Sequence, residues 1–235
     1  MAMTANKLYV QYNNQGVDFL EKGRYGDAIS VFKNALHTLM KAQKEAPQHN
    51  HISASIDGPD FTPWSPSEKR LDQILQIPRD ESSYVYGCAF RISRSPRHEE
   101  STASSVQDTM VVIFNLSLVF HFLHLTRTSG QRDPKNLTKA LHYYSMAQAL
   151  ILSEENQGMN NDPSILLILM ASCNNMGQLQ HSVRKSDDAV ASMKLLSSTL
   201  AFCHTHRYFT IDPEDLRGFS MNIMFLIEPI LAPAA

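Results

Sequence analysis

The sequence predicts an all-α protein: a stack of about three helical hairpins, closed by a C-terminal capping helix and interrupted by one long irregular insert. Three observations predict it. Apolar residues recur at helical spacing over most of the chain, as in Ala28, Ile29, Phe32, Ala35, Leu36 and Leu39. One spacing recurs: Gly16 precedes Ala28 by 12 residues, with Phe32 and Ala35 following at i+4 and i+7, and Gly177 precedes Ala189 by the same 12, with Met193 and Leu196 following. Composition agrees: 43% of the 235 residues are hydrophobic, enough for a sizeable core, and nine glycines are too few for a turn-dense β architecture. A pair of short helices cannot bury its apolar stripe alone, so each copy of the pattern requires stacked neighbours.

Taken in order, residues 1–46 read as the first hairpin. Gly23 and Gly26 bracket its turn, and Asp27 suits the positive end of the second helix. Residues 47–105 read as the irregular polar insert: they hold six prolines, many Ser and His, and no sustained helical period. Within it, Tyr84–Ile92 is rich in β-formers and reads as a short extended segment packed on the helices. The flanks, roughly 47–67 and 93–105, read as mobile. Helical pattern resumes over 106–126, 135–152, 163–182 and 185–206. Asp133-Pro134, Asp162-Pro163 and Asp212-Pro213 are each an N-cap followed by an N1 proline, the last opening a helix over about 213–227. Residues 106–228 thus carry the second and third hairpins and the cap, and 229–235 read as a loose tail.

These residues resemble the tetratricopeptide repeat (TPR), in which a large residue, Leu-Gly and an aromatic mark the first helix and Ala, aromatic, Ala the second. The first copy, Tyr12–Gln15-Gly16–Phe19 with Ala28–Phe32–Ala35, is the closest match, with Gln15 in place of leucine. The second keeps Leu116-Ser117, Phe120 and Ala140–Tyr144–Ala147, with about 11 residues inserted near Thr126–Lys135. The third has Met176-Gly177 and Ala189 but departs at Gln180, Met193 and Leu196. The alternative on the same helix pattern is a generic antiparallel bundle. The resemblance implies a concave groove, lined by first helices, that binds a partner peptide or helix. The groove-facing positions it implies are Asn13, Val17 and Leu20, then Phe114, Asn115, Leu118 and His121, then Asn174, Gln178 and His181. Asparagine and glutamine offer both donor and acceptor to an extended backbone; the alternative is that they bond within the fold or solvate a face. The carboxylate-clamp subtype is disfavoured, because Asn13, Val17, Asn115, Asn174 and Gln178 supply no cation to grip a terminal carboxylate. The insert either leaves this groove open or folds over it, with Tyr84–Ile92 as the occupying strand.

Candidate chemistry is sparse. His121 and His124 are three apart on a helix but have no regularly spaced acidic or thiol companion, and Cys203-His204-Thr205-His206 closes a helix, where His also suits exposed carbonyls. Neither predicts a metal site, and no cofactor is expected. There is no G-x-S-x-G, P-loop or dinucleotide turn, and Cys88 lies in an aromatic segment with no base that the sequence positions. Ser95-Pro96, Ser65-Pro66 and Thr62-Pro63 resemble proline-directed phosphorylation sites, whose phosphate would pair with Arg91, Arg94 or Arg97.

A net charge of −2 favours neither nucleic acid nor an anionic membrane. Met110–Leu125 carries Asn115, Ser117, His121 and His124 and reads as too short and polar to span a bilayer. Three widely spaced cysteines and no secretory apolar core at the N-terminus make a reduced, soluble, cytoplasmic protein the expectation. The expected function is therefore a non-enzymatic adaptor for an unknown protein or peptide. Two alternatives stay open: a regulatory or enzymatic role through a His/Cys site, and self-association through Phe- and Met-rich helix surfaces.

Overall fold

The computed structural model describes residues 5–45, 64–71, 84–93, 102–126, 133–153, 162–206 and 211–231, and among them are seven helices and a two-stranded antiparallel ribbon. The helices are α1 (Ala5–Glu21), α2 (Tyr25–Glu45), α3 (Thr102–Leu125), α4 (Pro134–Leu152), α5 (Pro163–Ser182), α6 (Ser186–His206) and α7 (Pro213–Leu231). The strands are β1 (Trp64–Arg70) and β2 (Cys88–Ile92), with Trp64 opposite Ile92, Ser65 opposite Arg91 and Pro66 opposite Phe90. The register slips between Pro66 and Arg70, so Arg70 faces Cys88. The protein is mostly helical.

Sequential helices pack as hairpins, α1 on α2, α3 on α4 and α5 on α6, and each hairpin packs on the next. The odd-numbered helices also touch one another in order, so α1, α3, α5 and α7 form one layer and α2, α4 and α6 the other. The repeated spacing explains the repeated hairpins. A Cβ added at Gly16 would lie 2.5 Å from the Phe32 ring, and one at Gly177 would lie 2.2 Å from the Met193 terminal methyl, each 16 residues on. Ala28, Ala140 and Ala189 are all buried, because a larger side chain there would separate the paired helices.

The turns repeat too. In the first, Arg24 N–H donates to Phe19 C=O and Gly23 N–H to Leu20 C=O; in the third, Lys185 N–H donates to Gln180 C=O and Arg184 N–H to His181 C=O. Both are Schellman closures with a left-handed residue, Gly23 at φ 69° in one and Arg184 at φ 60° in the other. Asp133, Asp162 and Asp212 each accept a hydrogen bond, at 2.8–2.9 Å, from the backbone N–H two residues on.

Several boundaries differ from the sequence reading. Residues 64–67, read as mobile, belong to β1, whose polar composition hides a strand that exists only through pairing with β2. Residues 102–105 are helical, and α7 continues to Leu231 instead of ending near 227. Met110–Leu125, read as too short and polar to span a bilayer, lies within Val106–Leu125, which is long and apolar enough to do so by length and composition but is mostly buried inside the protein as the central core helix. Most of the proposed inserted turn near 126–135, together with Thr62, Arg94, Ser95 and Arg97, lies outside the described residues.

Candidate functional site: an asparagine ladder across the inner helices

Residues Tyr84 to Ile92 cross the face formed by α1, α3, α5 and α7, running opposite to the order of those helices. Each helix holds the segment with one asparagine whose side chain bonds both backbone groups of a single residue. On α7, Asn222 accepts from Tyr84 N–H at 3.2 Å and donates to Tyr84 C=O at 2.6 Å. On α5, Asn175 accepts from Tyr86 N–H at 2.8 Å and donates to its C=O at 3.0 Å. On α3, Asn115 does the same for Phe90 at 2.8 Å in both directions. On α1, Asn14 accepts from Ile92 N–H at 2.9 Å and donates to its C=O at 2.8 Å.

The physical logic is that of a β-ladder built from side chains. An amide side chain carries one acceptor and a two-proton donor, so it can complete the N–H and C=O that an extended residue presents on one edge. Successive backbone groups alternate between edges, which is why the gripped residues 84, 86, 90 and 92 are all even-numbered. β1 runs along the opposite edge, where Leu71 N–H donates to the odd-numbered Gly87 C=O at 3.0 Å.

Two further asparagines buttress the ladder. Asn13 donates to Phe90 C=O at 3.0 Å and accepts from Asn115 at 2.9 Å. Asn174 donates to Tyr84 C=O at 3.0 Å and accepts from Asn222 at 2.6 Å. Asn13, Asn115, Asn174, Asn175 and Asn222 are fully buried, so each needs these partners to avoid a stranded amide.

Aromatic side chains fill the space between the rungs. Tyr86 stacks between Phe90 and Phe219, with ring centroids 6.0 Å from each, and Phe90 meets Phe114 edge-on at 5.3 Å. At one end the Tyr84 ring lies on the backbone of α7, where a Cβ at Gly218 would be 2.3 Å from it. Its hydroxyl bonds Asp215, and Arg70 bonds Asp215 at 2.6 Å and Tyr84 at 3.0 Å. Burial and the Asp215 charge push the Tyr84 phenol well above its usual range, so it stays a donor. At the other end Arg91 reaches Asp18 at 2.7 Å and Glu21 at 2.9 Å on α1.

Two of the three asparagines read from the sequence as groove-facing stand one residue out of register with the ladder. Asn115 is a rung. Asn13 and Asn174, assigned as its equivalents, are buttresses, and the rungs are their neighbours Asn14 and Asn175. The missed signal is that three of the four rungs stand two residues before the small residue of their helix: Asn14-x-Gly16, Asn115-x-Ser117, Asn175-x-Gly177. Asn222 lacks that mark, since Met224 occupies the corresponding place. Val17, Leu20, Phe114 and Leu118 are core residues, not an open lining. His121 is buried beside the Tyr144 hydroxyl at 3.3 Å, between α3 and α4. Gln178 is half-buried and His181 exposed near the end of α5. The open-groove alternative is not the arrangement seen: residues 84–92 fill the face.

The other candidate chemistry can be placed as well. Burial, reinforced by the nearby His124, lowers the His121 pKa to about 3. Burial pushes the Cys173 thiol up to about 12, against a hydrogen bond from Gln148 that favours the thiolate. Cys88, Cys173 and Cys203 are buried and form no disulfide. Among the described residues, no three His, Cys, Asp or Glu side chains gather where they could hold a metal ion.

In comparison with known proteins, the chain matches no family model, no curated protein and no solved structure.

Proposed function

We propose that the protein is a non-enzymatic interaction scaffold, a TPR-like array whose inner helices hold an extended polypeptide by its backbone. The observation that carries this reading is the ladder itself: one bidentate asparagine from each of α1, α3, α5 and α7. Main-chain bonds supply affinity without demanding a particular sequence, while pockets for alternate side chains supply selectivity; this is how grooves recognise strands. In the resting chain the occupant is its own residues 84–92, and a partner protein offers an equivalent extended segment that exchanges with them. Three buried cysteines outside any disulfide support a reducing, cytoplasmic setting.

A second reading is favoured by a specific observation. Tyr86 and Phe90 are fully buried and stacked within the core, as suits a segment that never leaves. On that reading the ladder is structural and partners dock elsewhere.

A fluorescent synthetic peptide with the sequence of residues 84–92, titrated into the full-length chain, separates the two. The scaffold reading expects slow, saturable binding with release of the internal segment. An absence of binding to folded protein over hours at high peptide concentration would leave the structural reading standing.

A further inference from the structure

We infer that Ser65 is a phosphorylation site for a proline-directed protein kinase, and that its phosphate clasps β1 to the groove segment through Arg91. Two requirements of such a kinase are met: the serine and the following Pro66 are both exposed, and both lie in an extended strand. The position is specific as well. Ser65 is the cross-strand partner of Arg91, and directly opposed residues project from the same face of an antiparallel pair. Ser67 and Lys69, two and four residues on, reach Glu21 on α1, the carboxylate that Arg91 also contacts.

In the transfer, the Ser65 hydroxyl oxygen attacks the terminal phosphorus of ATP held by the kinase. The new O–P bond forms as the bond to ADP breaks, and the hydroxyl proton passes to the kinase's catalytic carboxylate. The product places close to two negative charges opposite one guanidinium. Arg91 can turn to it by giving up Asp18. Its partner Asp18 has a side chain 50% exposed and can return to water, while Glu21 keeps the Ser67 hydroxyl and Lys69. A phosphate accepts two parallel guanidinium bonds, whereas Asp18 and Glu21 each give Arg91 one oxygen, both at the same nitrogen. Because Arg91 lies between the gripped residues Phe90 and Ile92, the clasp holds the first two rungs shut.

This regulation rests on the groove reading for its consequence, whereas the modification itself is read independently by mass. Full-length protein is treated with a purified proline-directed kinase and MgATP, the sites are mapped by tandem mass spectrometry, and amide hydrogen exchange is followed at Phe90 and Ile92. The expected result is phosphate on Ser65, lost in Ser65→Ala, with exchange at both amides slowed about tenfold. Arg91→Gln should still be phosphorylated but show no slowing, and Arg91→Lys should retain part of it. An unmodified Ser65, or phosphorylation that leaves exchange unchanged or faster, overturns the proposal. Unprotected Phe90 and Ile92 amides in the untreated protein would instead overturn the groove reading.

Discussion

Arg184 and Gly23 occupy the same place in two copies of one turn, and only one of them suits it. Both lie in the left-handed region, where a side chain with a Cβ is strained and glycine is not. The Schellman bonds hold Arg184 there regardless. Arg184→Gly should therefore stabilise the protein by about 0.5–1 kcal/mol, read as a shift in the urea midpoint at constant slope. No gain would mean that the arginine makes a compensating contact.

His121 gives a second expectation at this scale. It titrates near 3 in the fold and near 6.5 when unfolded, so below about pH 6.5 the unfolded chain binds a proton that the native state refuses. The stability from a neutral His121 is complete above that pH and falls as the pH drops toward 3. Between pH 7 and pH 5 this one group should cost about 2 kcal/mol. His121→Gln should flatten the pH dependence of urea unfolding over that interval by the same amount. An equally steep dependence in the variant would assign the loss to other groups.

At the scale of the elements, the hairpins differ in how they tolerate their own small residue. Gly16 is backed by the edge of the Phe32 ring, whose fully buried position leaves it no room. Gly177 is backed by the flexible terminal methyl of Met193. Gly16→Ala should cost about 1–3 kcal/mol through overpacking. Gly177→Ala should cost less than about 1 kcal/mol, since the thioether can swing aside and alanine favours the helix. Denaturant unfolding of the two variants measures this, and equal losses would contradict the packing described for the first hairpin.

Legibility in the sequence also divides at this scale. The helices, the N-caps and the Gly–Ala spacing were readable because they depend on contacts within a few turns of the chain. Asn14, Asn115 and Asn175 were readable in principle, two residues before a small residue, but assigning the groove face one residue off exchanged rungs for buttresses. β1 was not readable: Trp64–Arg70 contains a proline and four other polar residues before its closing arginine, and it is a strand only because β2 lies beside it. Asn222 was hidden for a similar reason, since its role is set by where α7 closes the stack.

The whole molecule is then a helical stack wrapped around a strand of its own making. The insert that interrupts the repeats supplies the aromatic side chains at the centre of the inner face, and the repeats supply the amides that satisfy its backbone. That reciprocity makes residues 84–92 as much a part of the core as any helix, and on the proposed scaffold reading their release is the event on which exchange with a partner depends. Native-state hydrogen exchange at the amides of Tyr84, Tyr86, Phe90 and Ile92, in the parent and in Asn115→Ala and Asn175→Ala, tests this most directly. The account predicts strong protection at all four amides in the parent. It also predicts a local loss in each variant, at Phe90 for the first and at Tyr86 for the second, as each substitution strands the backbone N–H whose bond it accepted. Each variant should lose about 2–4 kcal/mol of stability. Rapid exchange at these amides in the folded parent, or losses spread evenly over the helices, would contradict it.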